Sequence, residues 1–193
     1  MDSNYLNSFS LENIPEEFHS DLDQKPFCNC TFCGQDLLAK SVNYMIEKSI
    51  KVNPNNNQKN TVFEYAICID CNIRKMDAMS ADSVNNIKKY MEANFVIEEW
   101  EEHANDNKDP FAKCLVTKVP VEDLEEYNII GQFIGDKMIG GQFPVLISPC
   151  IGEEIQELLS QETKDEFDDF MDTITNVPPE LKALFKTNRP VFV

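Results

Sequence analysis

Five of the chain's seven cysteines fall in two short stretches, "FCNCTFCGQDL" at 27–37 and "YAICIDCNIRK" at 65–75. Thiols crowded this densely point to a metal. Four thiolates at the corners of a tetrahedron, about 2.3 Å from the ion, satisfy Zn2+ without a redox change. Cys30-Thr-Phe-Cys33 and Cys68-Ile-Asp-Cys71 each bring two sulfurs close enough to act as neighbouring ligands. Gly34 follows the first pair and tolerates positive φ, so the turn can close and aim backbone N–H groups at sulfur. A helix starting at Cys71 would further stabilise thiolate at its N-terminus. The expectation is one structural Zn2+ per chain, on Cys30, Cys33, Cys68 and Cys71.

The elements between and after the clusters must hold these pairs together. In "VNYMIEKSIKV", Val42, Tyr44, Ile46, Ile50 and Val52 share one face, interrupted only by Lys48; Asn43, Met45, Glu47, Ser49 and Lys51 share the other. That alternation predicts a half-buried strand. "NPNNNQKN" is a turn, and "TVFEYAIC" a second strand, giving a β-hairpin with a cysteine pair at each end. "NIRKMDAM" can begin a helix. "SADSVNNIKKYMEANF" predicts another, capped by Ser80, with Val84, Ile87, Met91 and Phe95 as its apolar stripe. Beyond Pro110, "AKCLVTKVPV", "EEYNIIGQFIG" and "FPVLIS" read as strands, and "GEEIQELLSQ" and "TKDEFDDFMDTIT" as helices. "VPPELKALF" adds a helical turn and "RPVFV" a strand-like tail. No internal repeat is visible.

Paired CxxC knuckles around a strand–turn–strand resemble the zinc-ribbon and treble-clef group over residues 27–75. The resemblance implies a four-cysteine structural zinc site and no particular function, because such modules serve many unrelated proteins. Cys28 is a fifth thiol, available as an exchange ligand. Cys28-Asn-Cys30 with Cys68-Ile-Asp-Cys71 also resembles the CxC…CxxC centre of the redox-regulated heat-shock chaperones, in which oxidation expels zinc. Cys114 and Cys150 read as small buried hydrophobes.

No catalytic constellation accompanies the cysteines, so an enzyme is not expected. His19 and His103, the two histidines, lie in acidic stretches, and "GQFIGDKMIGG" lacks both the P-loop ending and the dinucleotide-binding spacing. The composition, 42% hydrophobic and 26% charged, is that of a soluble globular protein. No apolar run approaches the roughly 18 residues that cross a bilayer. An odd cysteine count and a start without a basic, apolar leader lead to the expectation of a reducing cytoplasm. The net charge of −17 divides into −6 over residues 1–23, +3 over 24–75 and −14 over 76–193. Such acidity serves solubility and repels phosphate backbones.

The expected fold is α+β. A weakly structured segment (1–25) leads into an N-terminal zinc-ribbon or treble-clef hairpin module with a following helix (26–109), then an acidic α/β region (110–193). The expected role is a cytoplasmic zinc-binding interaction or adaptor protein with a protein partner, neither membrane nor nucleic acid. The alternatives are a redox-sensing zinc switch using Cys28 and a nucleic-acid-associated factor using Lys40, Lys48, Lys51, Lys59, Arg74 and Lys75. "RPVFV" would either meet a partner's sheet edge or complete the protein's own sheet.

Overall fold

The computed structural model describes residues 10–94 and 109–175, with 167, 169 and 171–175 as backbone only. The alternating stretch forms strand β2 (Asn43–Val52), and the β-branched stretch after the turn forms β3 (Lys59–Cys68). They pair antiparallel from Tyr44 opposite Cys68 to Val52 opposite Lys59, with a bulge after Ser49. The turn closes because Asn53 Oδ1 accepts from Asn55 N at 2.9 Å and Asn57 takes φ 55°.

Strand β2 is also flanked on its other edge, by β4 (Glu126–Ile134), from Asn43 opposite Ile134 to Lys51 opposite Glu126. The sheet therefore takes strands from both sides of Pro110. It continues from β4 to β5 (Lys137–Ile139) and β1 (Leu11–Asn13), while β6 (Val145–Ile147) pairs with β4 at residues 128–130. All these pairings are antiparallel, and with the helices they make the fold α+β. A central strand is covered on both faces, so Glu47, Lys48 and Ser49 are all buried, where alternation alone predicted one solvated face.

One face is closed by the chain's early residues, expected to be weakly structured. Here β1 pairs with β5, and a 3-10 turn at Glu16–Phe18 delivers the fully buried Phe18. Its ring lies 5.2 Å from that of Phe133, which stacks on Tyr44 at 5.2 Å. The other face carries helices α1 (Ile69–Asp77), α2 (Ala81–Asn94), α3 (Pro149–Glu157) and α4 (Gln161–Thr175). Phe170 of α4 packs edge-on to Tyr65 at 5.3 Å and stacks on Phe32 at 4.7 Å.

Two readings need correction. Residues 112–121, predicted as a strand from their β-branched content, form a tight turn whose only ladder contact among the described residues is the Lys113–Pro120 bridge. The chain reverses at Lys118, which takes φ 60°. The chain also contains a repeat. Tyr44 and Ile46 of β2 are answered by Tyr127 and Ile129 of β4, and the pairing of the two strands is closed at its ends by equivalent bonds. Val52 N donates to Glu125 O (2.7 Å), and Gly135 N to Val42 O (3.0 Å). In each half a strand then ends at a helix N-cap, Cys68 or Ser148, followed by a nine-residue helix and a second helix entered through Ser80 or Ser160. Ser80 caps α2 as expected, Oγ accepting from Ser83 N at 3.2 Å, and Ser160 caps α4 by accepting from Thr163 N at 3.3 Å. The two hydroxyls meet at 2.9 Å, and the bonds cross reciprocally: Ser80 N to Thr163 Oγ1 (3.0 Å), Ser160 N to Ser83 Oγ (2.9 Å). The halves are thus related by an approximate two-fold axis through the Glu47–Ile130 pair and the Ser80–Ser160 contact. "VPPELKALF", "RPVFV", Phe95 and His103 lie outside the described residues.

Candidate metal centre

The first cysteine pair sits on a knuckle built from backbone bonds. Cys30 N donates to Gln35 O (2.8 Å) and Gly34 N to Cys30 O (2.9 Å), which requires φ 73° at Gly34. A Cβ there would meet nothing within 4 Å, so the conformation, and not crowding, selects glycine. Thr31 N donates to Ala66 O (2.9 Å), fastening the knuckle to β3. The second pair straddles a strand–helix junction: Cys68 ends β3 and N-caps α1, and Cys71 lies in that helix's first turn.

These elements bring Cys30, Cys33, Cys68 and Cys71 together with all four sulfurs within 4.8 Å of one another. Cys33 Sγ and Cys68 Sγ stand 3.7 Å apart. An ion with four sulfurs at about 2.3 Å has a tetrahedral edge of about 3.8 Å, so the donor set fits zinc in kind and in size. Cys30, Cys68 and Cys71 are buried and Cys33 is exposed at the rim.

The electrostatics favour a cation. Burial pushes the Cys30 thiol up, but N–H groups of Cys68, Cys33 and Phe32 directed at its sulfur outweigh it and hold the pKa at about 7. Cys68 N lies 3.4 Å from Cys30 Sγ. Burial, then crowding by Cys33, Cys68 and Cys30, pushes Cys71 up to about 12. Four adjacent thiols cannot all ionise unaided, and a divalent ion at their centre removes that penalty. The Arg74 guanidinium, 2.9 Å from Cys71 Sγ, offsets the negative charge that four thiolates would leave.

Cys28 is outside this group. It is exposed, and its thiol donates to Pro26 O at 3.5 Å. The basic side chains are mostly engaged. Lys48 is buried, bonding His19 O (2.7 Å), Asp21 (2.6 Å) and Glu64 (3.0 Å). Lys75 carries its ammonium inward to 4.0 Å from the Phe170 ring centroid, and Lys59 lies over Tyr127 at 5.8 Å. Lys51 approaches Glu126 at 3.9 Å.

Cys114 is more than a packed hydrophobe. It is fully buried, and its sulfur accepts from Ser148 N (3.2 Å) and Thr117 N (3.4 Å). Burial raises its pKa, but these bonds and the Ser148 hydroxyl outweigh it and lower the value. The signal in the sequence was "CLVTK" set against "CTFCG". Cys150 is exposed beside it, 3.1 Å from Ser148 Oγ. Among the described residues no helix is long and apolar enough to cross a membrane. No family model, curated protein or solved structure matches the chain, so its function rests on the site itself.

Proposed function

We propose that this chain is a cytoplasmic zinc-binding interaction protein. A single Zn2+ on Cys30, Cys33, Cys68 and Cys71 fastens the knuckle to the start of α1, in the manner of a treble clef. The observation that carries this reading is the four-sulfur group with its 3.7 Å edge. The ion does no chemistry; it holds a surface in shape. That surface is the outer side of α1, where Ile69 (43% exposed) and Ile73 (51% exposed) stand one turn apart beside Cys71. The second half has Pro149 and Glu153 at the corresponding helix positions, so the fold does not require apolar residues there. Exposed apolar side chains on a metal-braced helix suit a protein partner. The inward or paired lysines leave little basic surface for phosphates, which disfavours the nucleic-acid reading.

The test is chelation of the purified full chain. A strong chelator, or Cys71→Ser, should remove the metal and loosen the β2–β3 hairpin, read as lost amide protection across residues 59–68. Unchanged protection after complete metal removal would overturn the structural role.

A further inference from the structure

We propose that residues 110–175 are a second copy of the metal unit whose site no longer holds an ion, with Cys114 as its surviving ligand. Thr117, Ser148 and Ile151 stand where the first unit has Cys33, Cys68 and Cys71. This proposal rests on the zinc reading of the first unit and adds to it the bonds of the second unit, which that reading does not use.

The two sites agree bond by bond. Cys30 N donates to Gln35 O at 2.8 Å, and Cys114 N to Val119 O at 2.9 Å. Gly34 N donates to Cys30 O at 2.9 Å, and Lys118 N to Cys114 O at 3.0 Å. Leu37 N donates to Cys28 O at 2.9 Å, and Val121 N to Ala112 O at 2.9 Å. The knuckle is fastened to its strand by Thr31 N to Ala66 O (2.9 Å) in one unit and by Leu115 N to Leu146 O (2.8 Å) in the other. The Asn29–Asp36 bridge across the first knuckle is answered by Lys113–Pro120 across the second. The helix N-cap approaches the knuckle sulfur alike in both: Cys68 N lies 3.4 Å from Cys30 Sγ, and Ser148 N 3.2 Å from Cys114 Sγ.

The second knuckle keeps a shape that its own residues do not favour. Gly34 holds φ 73° at no steric cost, whereas Lys118 holds φ 60° as a long, β-carbon-bearing residue. The four ligand positions of the second unit hold polar groups in mutual contact and one buried apolar residue. Cys114 Sγ lies 3.4 Å from Ser148 Oγ, Thr117 Oγ1 3.5 Å from Ser148 Oγ, and Ile151 is 2% exposed. Hydrogen bonds and packing therefore do in the second unit what four thiolates and an ion do in the first.

Restoring the thiols tests this. The full chain carrying Thr117→Cys, Ser148→Cys and Ile151→Cys should bind one more Co2+ than wild type, with a matching rise in sulfur-to-cobalt charge-transfer absorbance. The readout is the gain over wild type, so it stands apart from whether the first unit binds metal. Thr117→Cys with Ser148→Cys alone keeps Ile151 in the core and should still gain cobalt, more weakly, on three sulfurs. A folded triple variant with no gain overturns the proposal. Since the backbone is already set for thiols, failure of both variants to fold in the presence of cobalt overturns it equally.

Discussion

Phe18 provides the sharpest test of how the early residues belong to the fold. Its ring is fully buried, 5.2 Å from Phe133 and 6.0 Å from Phe111, directly over Gly131. Phe18→Ala removes a ring's worth of buried surface and leaves a cavity, at about 3–5 kcal/mol. Against a typical domain stability of about 5–15 kcal/mol, that is a large share. Gly131→Ala perturbs the same spot from below. Its Cβ would lie 2.8 Å from a Phe133 ring atom and 2.9 Å from Phe18 Cζ, well inside carbon contact distance. Overpacking of this kind costs about 1–3 kcal/mol. Removing Phe18 relieves one of the two clashes, so the double variant should cost less than the sum of the singles by at least about 0.5 kcal/mol. Urea unfolding of the four proteins in saturating zinc measures the cycle. A Phe18→Ala loss below about 1 kcal/mol, or strict additivity, would refute the packing described.

Ser80→Ala and Ser160→Ala each remove a helix cap and one side of the contact on the pseudo-axis. Each should cost about 2 kcal/mol, and thermal melts should show the two losses to be alike; a loss in one alone contradicts the symmetry. Burial depresses the Lys75 pKa to about 7, with Glu47 opposing the shift. The unfolded chain takes up this proton near the ordinary lysine value and the folded chain only near 7, so stability falls as pH drops between those values. The advantage of Lys75→Met over wild type should therefore grow from pH 9.5 towards about 7.5, as followed by urea midpoints; a constant gap contradicts it. Cys28→Ser should leave metal content and the rate of peroxide-induced metal release unchanged, and slower release in the variant would instead favour a redox switch.

What could be read from the sequence was local. The CxxC pairs lie within one turn each, and a hairpin of alternating residues brings their ends together, so ligand spacing and strand pattern together forecast the four-sulfur group. Ser80 declared its helix for the same reason, since a cap acts on residues three positions away. The burial of Glu47 and Lys48 could not be read this way. It follows from pairing with β4, which makes β2 a central strand, and from the early residues and the helices that cover its two faces. Residues 112–121 looked like a strand because Val116, Thr117, Val119 and Val121 favour extended backbone, but bonds to the Cys114 knuckle override that propensity. The repeat stayed hidden because its halves share backbone bonds more than side chains. "MSADSVNNIKKYM" and "LSQETKDEFDDFM" keep the capping hydroxyls, an acidic residue and an aromatic–Met pair while the intervening positions diverge. With Thr117, Ser148 and Ile151 where the first unit has cysteines, the second unit lacks the most visible mark of the first.

Counting the metal on the native full-length chain tests the central claim most directly. Native mass spectrometry of protein purified without added metal, paired with elemental analysis, should find one zinc per folded chain, and none on the Cys30→Ser/Cys33→Ser variant. A folded chain carrying no zinc, or zinc retained in that variant, would contradict the assignment of the four-sulfur group as a metal centre.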